Sequence, residues 1–176
     1  MTDQPGARGG IPPGERFADV AGWEDRGSDR PHIWRTLGYR REAWVPGGIT
    51  IAWDAPEDYC FPTASGPVVQ GGLVTALLDA AMGGACWTVL DLDEVFLTAD
   101  LRVEFLRASR PGLLRATGEV VQRSRRVAFC AARLYDADER LLASSRCTQL
   151  ILPASGPAGR AGPMEPDGGP PRDARG

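Results

Sequence analysis

Residues 68–90 read VVQGGLVTALLDAAMGGACWTVL, the least polar stretch of the chain, with Asp79 as its one charge. Leu73, Val74, Leu77, Leu78, Ala81, Met82 and Ala85 recur at helical spacing and leave little polar face. A helix that is apolar nearly all round must be covered on most sides. Residues 73–90 are long enough to consider for a membrane span. Thr75, Asp79, Thr88 and the Gly83-Gly84 pair argue instead for a helix buried in a soluble protein.

The flanking sequence supplies the cover. YRREAWVPGGITIAW (39–53) predicts two short strands joined by a turn at Pro46-Gly47-Gly48. The proline-rich loop DAPEDYCFPTASGP (54–67) precedes the helix, and four strand-like runs follow it. In VFLTADLRVEFLR (95–107), strict alternation places Leu97, Ala99, Leu101, Val103 and Phe105 on one face, the last three on the concave side. GLLRATGEVVQR and RVAFCAARLY pair through Ser124-Arg125, and LLASSRCTQLIL follows a turn at 136–139. The expectation is an α+β domain: one curved antiparallel sheet wrapped about a single long helix.

Composition narrows the chemistry. The 176-residue chain is 43% apolar and 24% charged, with a formal net charge of −3, so nothing overall calls for nucleic acid or another polyanion. It has no lysine, which excludes a phosphate-loop lysine and a lysine Schiff base. Its one histidine, His32, reads as a loop or surface residue, and a multi-histidine metal site is impossible. Cys60, Cys86, Cys130 and Cys147 lack CxxC spacing and read as reduced, buried apolar residues. Seven arginines against two acids between Arg102 and Arg126 fit either ordinary strand surface or the rim of an anionic ligand. Residues 1–30 and 153–176, rich in Gly and Pro, are expected to be disordered, leaving a domain at 31–152. With no secretory h-region at the start, a cytoplasmic location is expected.

Gly71-Gly72 open the helix where backbone N–H groups lack partners, a place for a carbonyl oxygen or a phosphate to dock. Asp79 lies seven residues beyond Gly72, about 10 Å along the axis, and shares a face with Thr75, Met82, Gly83 and Cys86. A buried carboxylate must be satisfied or is kept for reaction. Two readings stay open: a partner Arg or backbone donors across a subunit contact, or a nucleophile or general base. Trp44, Trp53, Tyr59, Phe61 and Trp87 are either core or the lining of an acyl tunnel.

From Tyr39 to Leu152 the chain resembles the hotdog-fold acyl-CoA thioesterases of the phenylacetyl-CoA thioesterase type. The residues that carry this are VVQGGLVTALLDAAMG and FLTADLRVEFLRASRPGLLRATGEVVQRSRRVAFCAARLYDADERLLASS, with Gly-Gly seven residues before Asp and then Thr-x-Asp-Leu-x-Val-x-Phe-Leu-Arg. The resemblance implies a homodimer or homotetramer with continuous sheets and active sites between two subunits. It implies hydrolysis of an acyl-CoA substrate without a cofactor, with Asp79 as the catalytic carboxylate and the Gly71 N–H as oxyanion donor. It also implies that Thr98 faces Asp79 from the partner chain and that Gly72 borders the substrate. Arg107, Arg125 and Arg126 are the implied phosphate contacts. Many members have His where this chain has Gln70, which can orient a carbonyl but carries no proton at neutral pH. Relatives often have Asn where Ala64 stands, and Ser65 is the neighbour placed to substitute. These departures motivate an alternative, a non-catalytic acyl-CoA-binding dimer.

Overall fold

The computed structural model of the protein describes residues 11–17 and 31–154. A short helix, α1 (His32–Leu37), stops at Gly38, whose φ of 79° is the left-handed conformation that suits glycine. His32 is exposed on it, its Nδ1 3.0 Å from the Arg35 guanidinium. Strands β1 (Arg40–Val45) and β2 (Gly48–Ala55) form the expected hairpin, with Gly47 at φ 76° in its turn. Two short strands, β3 (Cys60–Phe61) and β4 (Val68–Val69), pair with each other just before the long helix α2 (Gly71–Trp87). Then come β5 (Glu94–Phe105), β6 (Gly112–Arg123), β7 (Val127–Tyr135) and β8 (Leu141–Pro153).

Six strands make one antiparallel sheet in the order β1-β2-β6-β7-β8-β5, curved around α2. Val74, Leu77, Leu78, Ala81, Met82, Ala85 and Cys86 of the helix are buried against Ile49, Ile51, Trp53, Leu114 and Leu134 of the sheet. This is the α+β arrangement, one curved sheet about one helix, expected from the apolar helix, and the hotdog architecture that the resemblance implies. Small residues let the layers close up: a Cβ on Gly118 of β6 would stand 2.2 Å from the Ala81 carbonyl oxygen. No described helix is long and apolar enough to cross a membrane. Of the candidate tunnel aromatics, Trp53 is fully buried core and Phe61 is exposed. Cys86, Cys130 and Cys147 are buried free thiols.

The alternation expected in β5 fails at its middle. Thr98 pairs with Gln149 and Asp100 with Thr148, so Ala99 is an extra residue, a β-bulge. Because side chains alternate with period two, one inserted residue exchanges the faces. Phe96 and Thr98 therefore face the helix before the bulge, and Leu101 and Val103 after it. Leu97, expected inside, is 56% exposed.

Residues 11–17 also depart from the expectation of a disordered start. The Gly14 N–H donates to the Thr88 carbonyl at 3.1 Å and the Arg16 N–H to the Leu90 carbonyl at 3.1 Å. The Arg16 guanidinium donates to the carbonyls of Asp91, Leu92 and Glu94 and lies 4.3 Å over the Trp87 ring. Composition missed this because the anchoring comes from backbone N–H groups and the polar side chains of Glu15 and Arg16, which meet groups just beyond the helix C-terminus. Arg16→Ala is expected to lower stability by about 1–2 kcal/mol, read as a shifted urea midpoint. The rest of the expected disordered ends, residues 1–10, 18–30 and 155–176, lies outside the described residues.

Candidate functional site

Gln70 caps α2. Its side-chain Oε1 accepts from the Leu73 N–H at 2.9 Å, while its own N–H donates to the Tyr59 carbonyl at 3.0 Å. The side chain folds over Gly72, where a Cβ would meet Oε1 at 2.7 Å. Gln70 thus serves the helix first, and its Nε2 is the group left to meet a ligand. Among the described residues no acceptor takes the Gly71 or Gly72 N–H. The Phe105 ring lies over Gly71, 3.4 Å from where a Cβ would be. The helix start is therefore an open pair of amides beside an aromatic wall.

Asp79 is half-buried two turns along. The Thr98 hydroxyl donates to its Oδ1 at 3.2 Å, and no guanidinium among the described residues pairs with it. Burial raises its carboxyl above the ordinary value, and the Thr98 hydrogen bond offsets part of that rise. The resemblance placed Thr98 on the partner chain, but the contact is made within one chain. The bulge at Ala99 is the reason: it turns Thr98 toward the helix.

Thr98 Oγ1 also lies 3.0 Å from Oε1 of Gln149, a fully buried side chain on β8. Sequence reasoning missed Gln149. The signal was present, because it sits at an inward position of β8, between Cys147 and Ile151, where an apolar residue is expected.

The other candidates spread along the domain. Arg107, just past the end of β5, lies near the helix start and donates to the Leu141 carbonyl at 2.7 Å. Arg125 and Arg126 are exposed on the β6–β7 turn, where the Arg126 carbonyl accepts from Ile151. That is the opposite end of the sheet, so one chain does not bring the three arginines together. The Ser65 hydroxyl accepts from Arg110 at 3.1 Å and lies 3.2 Å from the Thr63 hydroxyl. Arg110, also missed, donates to the Pro67 carbonyl at 2.9 Å and so clamps the loop before α2. Among the described residues no cluster of three His, Cys, Asp or Glu side chains could hold a metal ion.

Comparison with known proteins identifies the family of this fold. Residues 66–143 match the family model described as thioesterase superfamily. A solved protein of that superfamily is 32% identical, with a TM-score of 0.62 covering 72% of this chain and 94% of that one. This chain belongs to the thioesterase superfamily. A second solved structure, a phenylacetic acid degradation-related protein from Ralstonia eutropha JMP134, is 26% identical, with a TM-score of 0.67 over 77% of this chain and 99% of that one. Among curated proteins, the thioesterase domain is similar to a medium/long-chain acyl-CoA thioesterase, YigI of Salmonella typhimurium, at 27% identity over 97 residues. The match spans 48% of this chain and 63% of that relative's length.

Proposed function

We propose that this thioesterase hydrolyses an acyl-CoA thioester to the free acid and CoA, using Asp79 as nucleophile or general base. The observation that carries this is a half-buried carboxylate with no cation beside it among the described residues, on the helix whose start offers amides that no described group accepts from. A thioester carbonyl docked at the Gly71 N–H gains negative charge as it is attacked, and one preorganised donor is worth about 3–4 kcal/mol there. The CoA thiolate leaves readily, so no histidine acid is needed.

Gly71 and Asp79 of one chain are eight residues apart, about 12 Å along the axis. A carbonyl bond of about 1.2 Å cannot bridge that gap. The proposed site therefore joins the helix start of one chain to Asp79 of a second, in a homodimer. Strand β5 is an edge of the sheet, and antiparallel pairing of two β5 edges would bring one chain's Arg125-Arg126 turn toward the other's helix start. Those arginines and Arg107 are then positioned for the CoA phosphates.

The test is thiol release from a panel running from short through long straight-chain acyl-CoAs to phenylacetyl-CoA, the range the relatives' names suggest. Saturable binding of these thioesters with no thiol released over hours would favour the non-catalytic dimer instead. The capping role of Gln70 is the observation on that side.

A pH dependence follows. Hydrolysis needs Asp79 ionised, so kcat/KM is expected to fall on acidification. Because the carboxyl is raised by burial, the midpoint of that limb lies above the about 3.9 of a free aspartate. A pH–rate profile on the best substrate reads it directly.

A further inference from the structure

Thr98 has one hydroxyl hydrogen and two acceptors. Its Oγ1 is 3.2 Å from Oδ1 of Asp79 and 3.0 Å from Oε1 of Gln149. Hydroxyls donate once, so an ionised Asp79 and the Gln149 oxygen compete for the same hydrogen. When Asp79 is protonated the conflict disappears: the carboxyl donates to Thr98, and Thr98 donates to Gln149. Gln149 Nε2 lies 3.1 Å from Cys147 Sγ, and Cys147 stands opposite Cys130 in the β7–β8 register. Gln149 is wholly buried and Cys147 nearly so, so water does not relieve the competition on that side.

We propose that Gln149 is a positioning residue for the reaction, its amide oxygen drawing the Thr98 hydrogen away from Asp79 and so favouring the protonated carboxyl. The inference rests on the reading of Asp79 as the reacting carboxylate. A base whose proton is retained more firmly in the empty site is also a stronger base once ionised, which suits proton abstraction from water. The ionisable groups around Asp79 are Cys86 on its own helix, Asp100 at the bulge of β5, Cys130 on β7 and Cys147 on β8.

The experiment uses the full chain, with Gln149→Met as a variant of similar length and Gln149→Leu as a second in case the first does not fold. Two readouts are taken: the ¹³C NMR titration of the Asp79 carboxyl and the pH profile of kcat/KM. With no competing oxygen, the Thr98 hydrogen turns to Asp79. The titration and the acid limb both move to lower pH, and kcat/KM below the wild-type midpoint rises by up to about tenfold, the worth of a hydrogen bond to a charged group. In a Thr98→Val background the Gln149 substitution has no effect on either readout, whereas Thr98→Ser retains it. A titration that stays put, moves to higher pH, or shifts equally without the Thr98 hydroxyl overturns the proposal. If Asp79→Asn leaves hydrolysis intact, the functional reading fails, yet the NMR titration still decides the role of Gln149.

Discussion

Asp79→Asn is expected to lower acyl-CoA hydrolysis by about a thousandfold while leaving the protein folded and more stable at neutral pH. The loss follows from chemistry: an amide neither accepts a proton from water at the thioester nor attacks as a nucleophile, and positioned acid–base groups contribute roughly 10²–10⁴-fold. The gain in stability follows from linkage. The carboxyl is raised in the folded state by burial, so between the unfolded and folded midpoints the native protein binds more protons than the unfolded chain. Stability then falls as pH rises through that window, and above it the ionised Asp79 is a standing cost. Asparagine has no charge to desolvate and can still accept from Thr98. The thermal midpoint of the variant should therefore exceed that of the wild type at pH 7–8, and the difference should shrink toward acid. Equal hydrolysis rates in the two proteins would remove Asp79 from the mechanism. In single-turnover hydrolysis in H₂¹⁸O, label appearing in the Asp79 carboxyl identifies direct attack followed by opening of the anhydride at the Asp79 carbonyl, an outcome that general base catalysis does not give.

Gly118→Ala is expected to cost about 3 kcal/mol or more and to lower the thermal midpoint by about 10 °C. Gly118 sits on β6 where the strand passes under α2. An added Cβ would stand 2.2 Å from the Ala81 oxygen, 2.4 Å from its carbonyl carbon and 3.0 Å from the Met82 nitrogen. All three are backbone atoms in the middle of the helix, so no side chain can swing aside. Either the helix lifts from the sheet or the strand bows away, and both open the core around Leu77, Ala81 and Leu114. Asp79 lies less than one turn from Ala81, so the folded fraction should also hydrolyse more slowly at its acidic limb as the Thr98 contact lengthens. The exposed Gln122 on the same strand provides the contrast, since Gln122→Ala should stay within about 0.5 kcal/mol of wild type. Chemical denaturation of the three proteins measures this, and a Gly118→Ala midpoint matching wild type would contradict the close packing of β6 on α2.

Much of this protein is legible in its sequence by itself. The nearly all-round apolar character of residues 71–87 demands a helix with cover, and the four strand-like runs after it supply that cover as an antiparallel sheet. Both are local periodicities, set by backbone geometry before any long-range contact forms. The glycine pair at the helix start and the lone acid two turns later are local in the same sense. What the tertiary structure decided depends on pairing between distant strands. The bulge at Ala99 exists because β5 must match β8 residue by residue, and no residue within VFLTADLRV marks where the extra one will fall. That displacement turns Thr98 inward and Leu97 outward, and it sets Gln149 behind Thr98. The separation of Arg107 from Arg125 and Arg126, and the docking of Arg16 beyond the helix end, are likewise products of the folded arrangement. Periodicity determines which face a side chain takes only while the register is unbroken, and register belongs to the pair of strands.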